Sequence, residues 1–270
     1  MTENLDQVQT QFGRTAAAYA TSQVHAKGAS LARLLQAAAP QPDWRVLDVA
    51  TGAGHTALLF APYVAQVVAG DVTFSMLRTT AELAAARGIG NVVPAGADAQ
   101  ALPFAADSFD LVTCRLGAHH FPQVAAFVAE AARVLRPGGV LAVVDNVVPG
   151  GRKKAAQAVG RYVNAFDKLR DPSHQQCLSL YAWRDQLHEA GFVLQHEETL
   201  REALDFDSWT ARMQVPPEDV LRLRVMLAQA PAGVVDFLTP QFSGDRITFF
   251  LTEALLVGTK PARPVDAPQR

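Results

Sequence analysis

The sequence predicts an α/β fold: a mostly parallel sheet with helices on both faces and a helical cap. Three observations carry that expectation. Short, fully apolar runs alternate with amphipathic stretches through residues 44–148, glycine-bearing turns join them, and long helical pieces take over after residue 149. Strands that are apolar throughout, without polar alternation, are buried on both faces, which a sheet sandwiched between helix layers provides.

Composition sets the outer bounds. The chain has 270 residues, 49% hydrophobic and 19% charged, enough for one sizeable core with material left for a cap. Its net charge of −2 disfavours a phosphate-backbone partner, so no nucleic acid is expected. The first residues lack the apolar core of a signal peptide, and no apolar run approaches bilayer length, so no membrane insertion is expected. The two cysteines, Cys114 and Cys177, cannot build a disulfide framework or a thiolate cluster. A cytoplasmic protein with reduced thiols is the expectation, with a homodimer left open.

Five segments follow in order. Residues 1–43 hold N-terminal helices serving as a lid, near Leu5–Tyr19 and Gln23–Ala38, the second stopped by Pro40 and Pro42. Residues 44–148 hold the core. VLDVA is strand one, VVAGD strand two, NVVPA strand three, FDLVTCRL strand four and VLAVVDNVV strand five. Thr73 is placed to cap the helix after strand two, in which Phe74, Leu77, Ala81 and Ala84 share a face, and Gly88 ends it. Val124, Phe127, Val128, Ala131, Val134 and Leu135 follow helical spacing, and Pro137-Gly138-Gly139 closes that helix. Residues 149–191 read as a helical cap insertion with an Ala155, Val159, Tyr162, Phe166 and Leu169 stripe. Residues 192–259 complete the sheet with FVLQHEETL and ITFFLTEALLVGT, with further helix over 205–230, and 260–270 is a loose tail. The cap would cover the carboxyl ends of the strands, where open α/β sheets bind ligands.

Leu47-Asp48-Val49-Ala50-Thr51-Gly52-Ala53-Gly54 is the most informative segment. Its glycines let backbone approach a ligand at the amino end of a helix. Gly52-x-Gly54-x-x-Ala57 satisfies a relaxed dinucleotide fingerprint, with Asp71 at the distance of a ribose contact. A tight structural turn without a ligand is a further reading. Two acids favour an S-adenosylmethionine site over a dinucleotide. Asp48, just before the turn, suits the ammonium of a methionine moiety and would repel a pyrophosphate. Asp98, after strand three, can accept a hydrogen bond from an adenine amine.

VLDVATGAGHTA, GDVTFSML, GADAQALPF, FDLVTCRLGAHHF and VLRPGG, in this order, resemble the class I S-adenosylmethionine-dependent methyltransferases over roughly residues 44–148. The nearest resemblance is to the branch of ubiquinone/menaquinone C-methyltransferases and the malonyl-carrier-protein methyltransferase. It implies a Rossmann-like seven-stranded sheet with an antiparallel last strand, in agreement with the strand count. It also implies that Asp48, Ala50, Gly52 and Gly54 hold the methionine end of S-adenosyl-L-methionine, that Asp71 with Val72 takes the ribose, and that Asp98 with the Ala99 amide reads adenine. Backbone near Arg115 and Leu116 would meet the amino-acid moiety, and Tyr19, in FGRTAAAY, would fold over the cofactor. Ala50 stands where the family usually has its first glycine, which a methyl group tolerates if φ is negative there.

Methyl transfer from a sulfonium is an in-line displacement, so alignment, exclusion of water and, for a protonated acceptor, a general base are the tasks left to the protein. His119 and His120, past strand four, are the candidate catalytic residues; one would face the acceptor and the other support the loop. Asp145 and Asn146 end strand five and could bind substrate or cap a loop. Arg170-Asp171-Pro172-Ser173-His174 reads as a turn ending a helix, and Cys114 as a core residue. No metal site is expected, since the ligand spacing of known sites is missing. The expected function is transfer of a methyl group to a small-molecule acceptor. An NAD(P)-dependent oxidoreductase and a non-catalytic S-adenosylmethionine-binding regulator are the alternatives.

Overall fold

β1 (Arg45–Val49), β2 (Gln66–Asp71), β3 (Val92–Gly96), β4 (Phe109–Arg115) and β5 (Leu135–Asn146) pair in parallel, each from a run foreseen in the sequence. β6 (Val193–Asp205), β7 (Gln241–Ser243) and β8 (Arg246–Thr259) complete the sheet, whose order is β3-β2-β1-β4-β5-β8-β6, with β7 on β8. β8 runs antiparallel to both β5 and β6, which gives the single reversed long strand that the family resemblance implies. This computed structural model describes the backbone of residues 2–20 and 28–262 and the side chains of 5–14 and 28–262.

Two apolar layers flank the sheet. One packs α5 (Val124–Val134) on it through Val124, Phe127, Val128, Ala131 and Val134, the spacing read from the sequence, and buries Cys114 beside them. The other is built from α2 (Ala29–Ala38), α3 (His55–Phe60) and the opposite strand faces. α2 ends on Ala39 in the left-handed region ahead of Pro40, while its expected beginning at Gln23 lies outside the described residues.

In α4 (Phe74–Ala86) the buried face is Met76, Thr80 and Ala84, and not the expected set with Phe74 and Ala81; Phe74 is 78% exposed. The cause is a tertiary contact: the Thr80 hydroxyl donates to the Gly52 carbonyl at 2.9 Å, which sets the rotation of the helix. Thr73 stands at the N-cap without a side-chain cap bond. β5 begins at Leu135 and includes the Pro-Gly-Gly segment expected to close the preceding helix, which ends at Val134.

The region after β5 is more broken than its periodicity implies. Residues 151–191 hold two helices, α6 (Lys154–Arg170) and α7 (Leu180–Glu189), split by a loop after Asp171-Pro172. Residues 205–230 hold α8 (Phe206–Arg212) and α9 (Pro217–Ala228), separated before Pro216-Pro217; α10 (Ala232–Leu238) follows. Proline cannot donate an amide and disfavours helix in the residue before it, which accounts for both breaks. α6, α8, α9 and α10 share a second core, and Ala155 alone of the expected stripe is exposed. β6 and β8 run on past the end of β5 and carry Leu204, Ile247, Phe249 and Leu251 into that core. There Phe166 stacks on Trp209 at 5.0 Å, and Phe249 packs edge-on against both rings.

Candidate active site

A cavity opens between the carboxyl ends of β1, β2 and β4 and the cap, with α1 (Thr2–Ala20) across it. It holds about 1570 Å³ of space open to solvent. Leu5, Val8 and Phe12 of α1 line it, and Gln9 and Gln11 tether that helix to the carbonyls of Val72 and Met213.

The glycine turn forms one wall. Ala50, Gly52, Asp71, Val72, Asp98, Ala99, Arg115 and Leu116 all line the cavity, as expected from sequence. Gly52 has φ +54°, and no atom lies within 4 Å of where its Cβ would be, so bare backbone faces the space. Asp71 accepts from the Gly52 amide at 2.9 Å and the Thr73 amide at 2.8 Å. Burial raises its pKa and those two amides oppose the rise. Asp98 accepts from the Gln100 amide at 2.9 Å, an Asx turn that presents its carboxylate beside Ala99.

Three expectations are corrected here. Asp48 does not line the cavity: it is 1% exposed and accepts from the Thr51 and Thr113 hydroxyls at 2.6 and 2.7 Å. Burial pushes its pKa up to about 6 despite those bonds. It braces the turn from beneath, because both faces of β1 are covered. Gly54 also stays off the wall; its φ is +84° and a Cβ there would meet Thr80 at 2.6 Å, so its smallness serves helix packing. Ala50 has φ +53°, not the negative value expected. Its methyl fits because Gly117 faces it: a Cβ on Gly117 would lie 2.8 Å from that of Ala50. Left-handed backbone costs an L-residue about 1–2 kcal/mol, and glycine costs about 0.4–1 kcal/mol in unfolded-chain entropy. Ala50→Gly should therefore raise unfolding stability by about 0.5–1 kcal/mol in a urea titration. The side chain of Tyr19 lies outside the described residues.

Arg115 sits at the end of β4, 8% exposed, with its Nε donating to Ser30. Burial lowers its pKa, opposed by Glu253 and Asp48. Leu116 follows with φ +54°, a strained backbone position at the cavity wall.

His119 and His120 extend from the same edge, their rings 4.2 Å apart. His119 Nδ1 lies 2.6 Å from Asp145 Oδ1. A carboxylate accepts, so Nδ1 carries a proton, and in the neutral ring Nε2 keeps the lone pair. Burial works to lower the His119 pKa, but Asp145, with Asp167 and Asp171, raises it overall. His120 is tied to Ser173 Oγ at 3.2 Å and covered edge-on by Phe12; burial and the neighbouring His119 push it down to about 3.

The opposite wall comes from the expected cap together with β6 and β8, but the roles of its lining residues were not foreseen. Asp167, Arg170, Asp171, His174, Glu202, Trp209, Arg212 and Glu253 line the cavity. The Arg170–His174 segment is the turn predicted, with Asp171 accepting from the Ser173 amide and hydroxyl, yet it also faces His119. A charged, histidine-bearing helix end in the cap was the available signal.

Comparison with known proteins bears on this arrangement. A family profile described as "Methyltransferase domain" matches residues 47–143, the strands and turns around the cavity. The uncharacterized methyltransferase YcgJ of Bacillus subtilis is 34% identical over 93% of this chain and 98% of its own length. The crystal structure of YcgJ superposes with a TM-score of 0.81, at 33% identity over 86% of this chain and 98% of that one. The nocamycin O-methyltransferase of Saccharothrix syringae is 32% identical over 92% of this chain and 96% of its own. A ubiquinone/menaquinone biosynthesis C-methyltransferase of Teredinibacter turnerae is 32% identical over 57% of this chain and 68% of its own. Similarity along nearly the whole chain sets the dinucleotide-dependent alternative aside. The chain belongs to the class I S-adenosylmethionine-dependent methyltransferases, in the branch that includes the ubiquinone/menaquinone C-methyltransferases.

Proposed function

We propose that the cavity binds S-adenosylmethionine along the Ala50–Gly52 turn and a small-molecule acceptor between that turn and the cap, with His119 as the general base. The observation that carries this reading is the His119–Asp145 pair, whose ring lines the same cavity as Gly52 and Asp71. When bound, S-adenosylmethionine supplies an electrophilic methyl group on its sulfonium. The open position at Gly52 leaves room for the close backbone approach such a ligand needs. Asp71 accepts ribose hydroxyl hydrogen bonds with the lone pairs not used by the Gly52 and Thr73 amides, and Val72 packs beside it. Asp98 and the Ala99 amide read adenine. Arg115 and Leu116 flank the amino-acid end.

The chemistry left to the chain is proton removal and alignment. Asp145 holds the His119 ring so that Nε2, the nitrogen with the lone pair, is free to take a proton from the acceptor. His120, tied to Ser173 and packed under Phe12, supports the loop. The long helix α1 and the cap keep bulk water away, as an in-line displacement requires. Two buried, unpaired thiols and a net charge of −2 fit a cytoplasmic enzyme without a nucleic-acid partner.

Two measurements test this. Asp71→Ala should weaken S-adenosylmethionine binding by about 1.5–3 kcal/mol in calorimetry, the range for hydrogen bonds to a charged group. Unchanged affinity in a folded variant would count against the ribose assignment. A mass-spectrometric screen for methylated metabolites, with enzyme and S-adenosylmethionine added to an extract, should yield a product. Tight cofactor binding with no product would favour the non-catalytic regulator.

A further inference from the structure

Three side chains with metal-binding chemistry converge on the cap side of the cavity. Asp167 is on α6, and His174 and Cys177 are in the loop after it. A carboxylate oxygen, a ring nitrogen and the sulfur lie within 4.8 Å of one another, and all three residues are buried. We propose that Asp167, His174 and Cys177 bind a divalent cation of the zinc type, with the fourth coordination position open to the cavity.

The donor set selects that ion. Imidazole, thiolate and carboxylate together suit borderline-soft zinc, which takes each at about 2.0–2.3 Å in a tetrahedron. Those lengths require ligand atoms about 3.3–3.8 Å apart. The observed separations, all within 4.8 Å, exceed those by at most about 1 Å to 1.5 Å, which side-chain rotation on binding would close. Asp167 and His174 line the cavity and Cys177 does not, so the unfilled position faces the space where an acceptor would lie. Three protein ligands and one open position are the pattern of zinc sites that exchange a ligand.

The surroundings are organised for it. Asn164 Oδ1 accepts from the Cys177 amide at 2.6 Å and lies 2.9 Å from His174 Nε2, while Asn164 Nδ2 donates to the Cys177 carbonyl at 3.1 Å. Since Oδ1 accepts, Nε2 must carry the proton, which leaves Nδ1 as the bare nitrogen of the ring. One residue therefore holds both the imidazole and the backbone of the cysteine, as outer-sphere partners of metal ligands do. On binding, the Cys177 thiol proton leaves to solvent, and thiolate and carboxylate balance the charge of the dication.

The test uses the full, untagged chain stripped with a chelator and titrated with Co²⁺. One equivalent should produce a sulfur-to-cobalt charge-transfer band in the near ultraviolet, and Zn²⁺ should abolish it. Cys177→Ser should lose the band, and Asn164→Ala should weaken the metal about tenfold to a hundredfold, the range for loss of an outer-sphere partner. No band in the wild type, or an equal band in Cys177→Ser, would overturn the site. S-adenosylmethionine calorimetry on each protein confirms that it is folded and reads the methyl-transfer cavity separately, so failure here leaves that reading untouched.

Discussion

Replacing His119 with alanine should lower turnover on the identified acceptor by about a hundredfold to ten-thousandfold, the contribution typical of a positioned general base. S-adenosylmethionine affinity should stay near that of the wild type, because His119 works at the acceptor end of the cavity. Asp145→Asn should lose much of the same rate. An amide in place of the Oδ1 that accepts from His119 Nδ1 at 2.6 Å no longer enforces the tautomer with Nε2 free. His120→Ala should act mainly on stability. Single-turnover kinetics beside cofactor calorimetry separate these cases. A His119→Ala enzyme within tenfold of wild-type turnover would mean that the acceptor arrives already deprotonated, and alignment alone would then account for the rate.

The largest effect on stability is expected at Phe166. Its ring is fully buried, stacked on Trp209 and met edge-on by Phe249, so truncation empties the centre of the cap core. Phe166→Ala should cost about 3–5 kcal/mol, against a total of about 5–15 kcal/mol for a typical domain. Denaturant unfolding would measure this. A loss below about 1 kcal/mol would mean that the cap core contributes little to the cooperative unit.

How much of this was legible in the sequence depended on how local the cause was. β1 to β4 and α5 are specified by short apolar runs and by spacing within a dozen residues and stand within about two residues of where they were read, whereas β5 starts five residues earlier, at Leu135. The rotation of α4 was misjudged because Thr80 answers to Gly52, 28 residues earlier. The conformation of Ala50 depends on the space left by Gly117, and the choice between His119 and His120 depends on Asp145 and Ser173. Asp48 was identified as important, but its direction was hidden, since a strand buried on both faces gives no inward and outward signal. The cap wall of Asp167, Arg170, Glu202, Trp209 and Arg212 was the least readable part. Each side chain reaches the cavity through packing between elements far apart in the chain.

The position of β8 between β5 and β6 has a consequence for how the protein is made. When the ribosome has produced β1 to β5, the outer edge of β5 carries unpaired amides and carbonyls along Val140–Asn146, the seven residues that β8 later pairs. Its partner is not translated until Arg246, a hundred residues after Asn146. At about 5–20 residues per second, that edge waits about 5–20 s for its neighbour. Until then β6 has no strand to join the sheet through, and the part-made chain presents an apolar, half-paired edge to any other strand it meets. A nascent chain arrested before residue 246 should therefore be captured by chaperones, while one extended past Thr259 should be released.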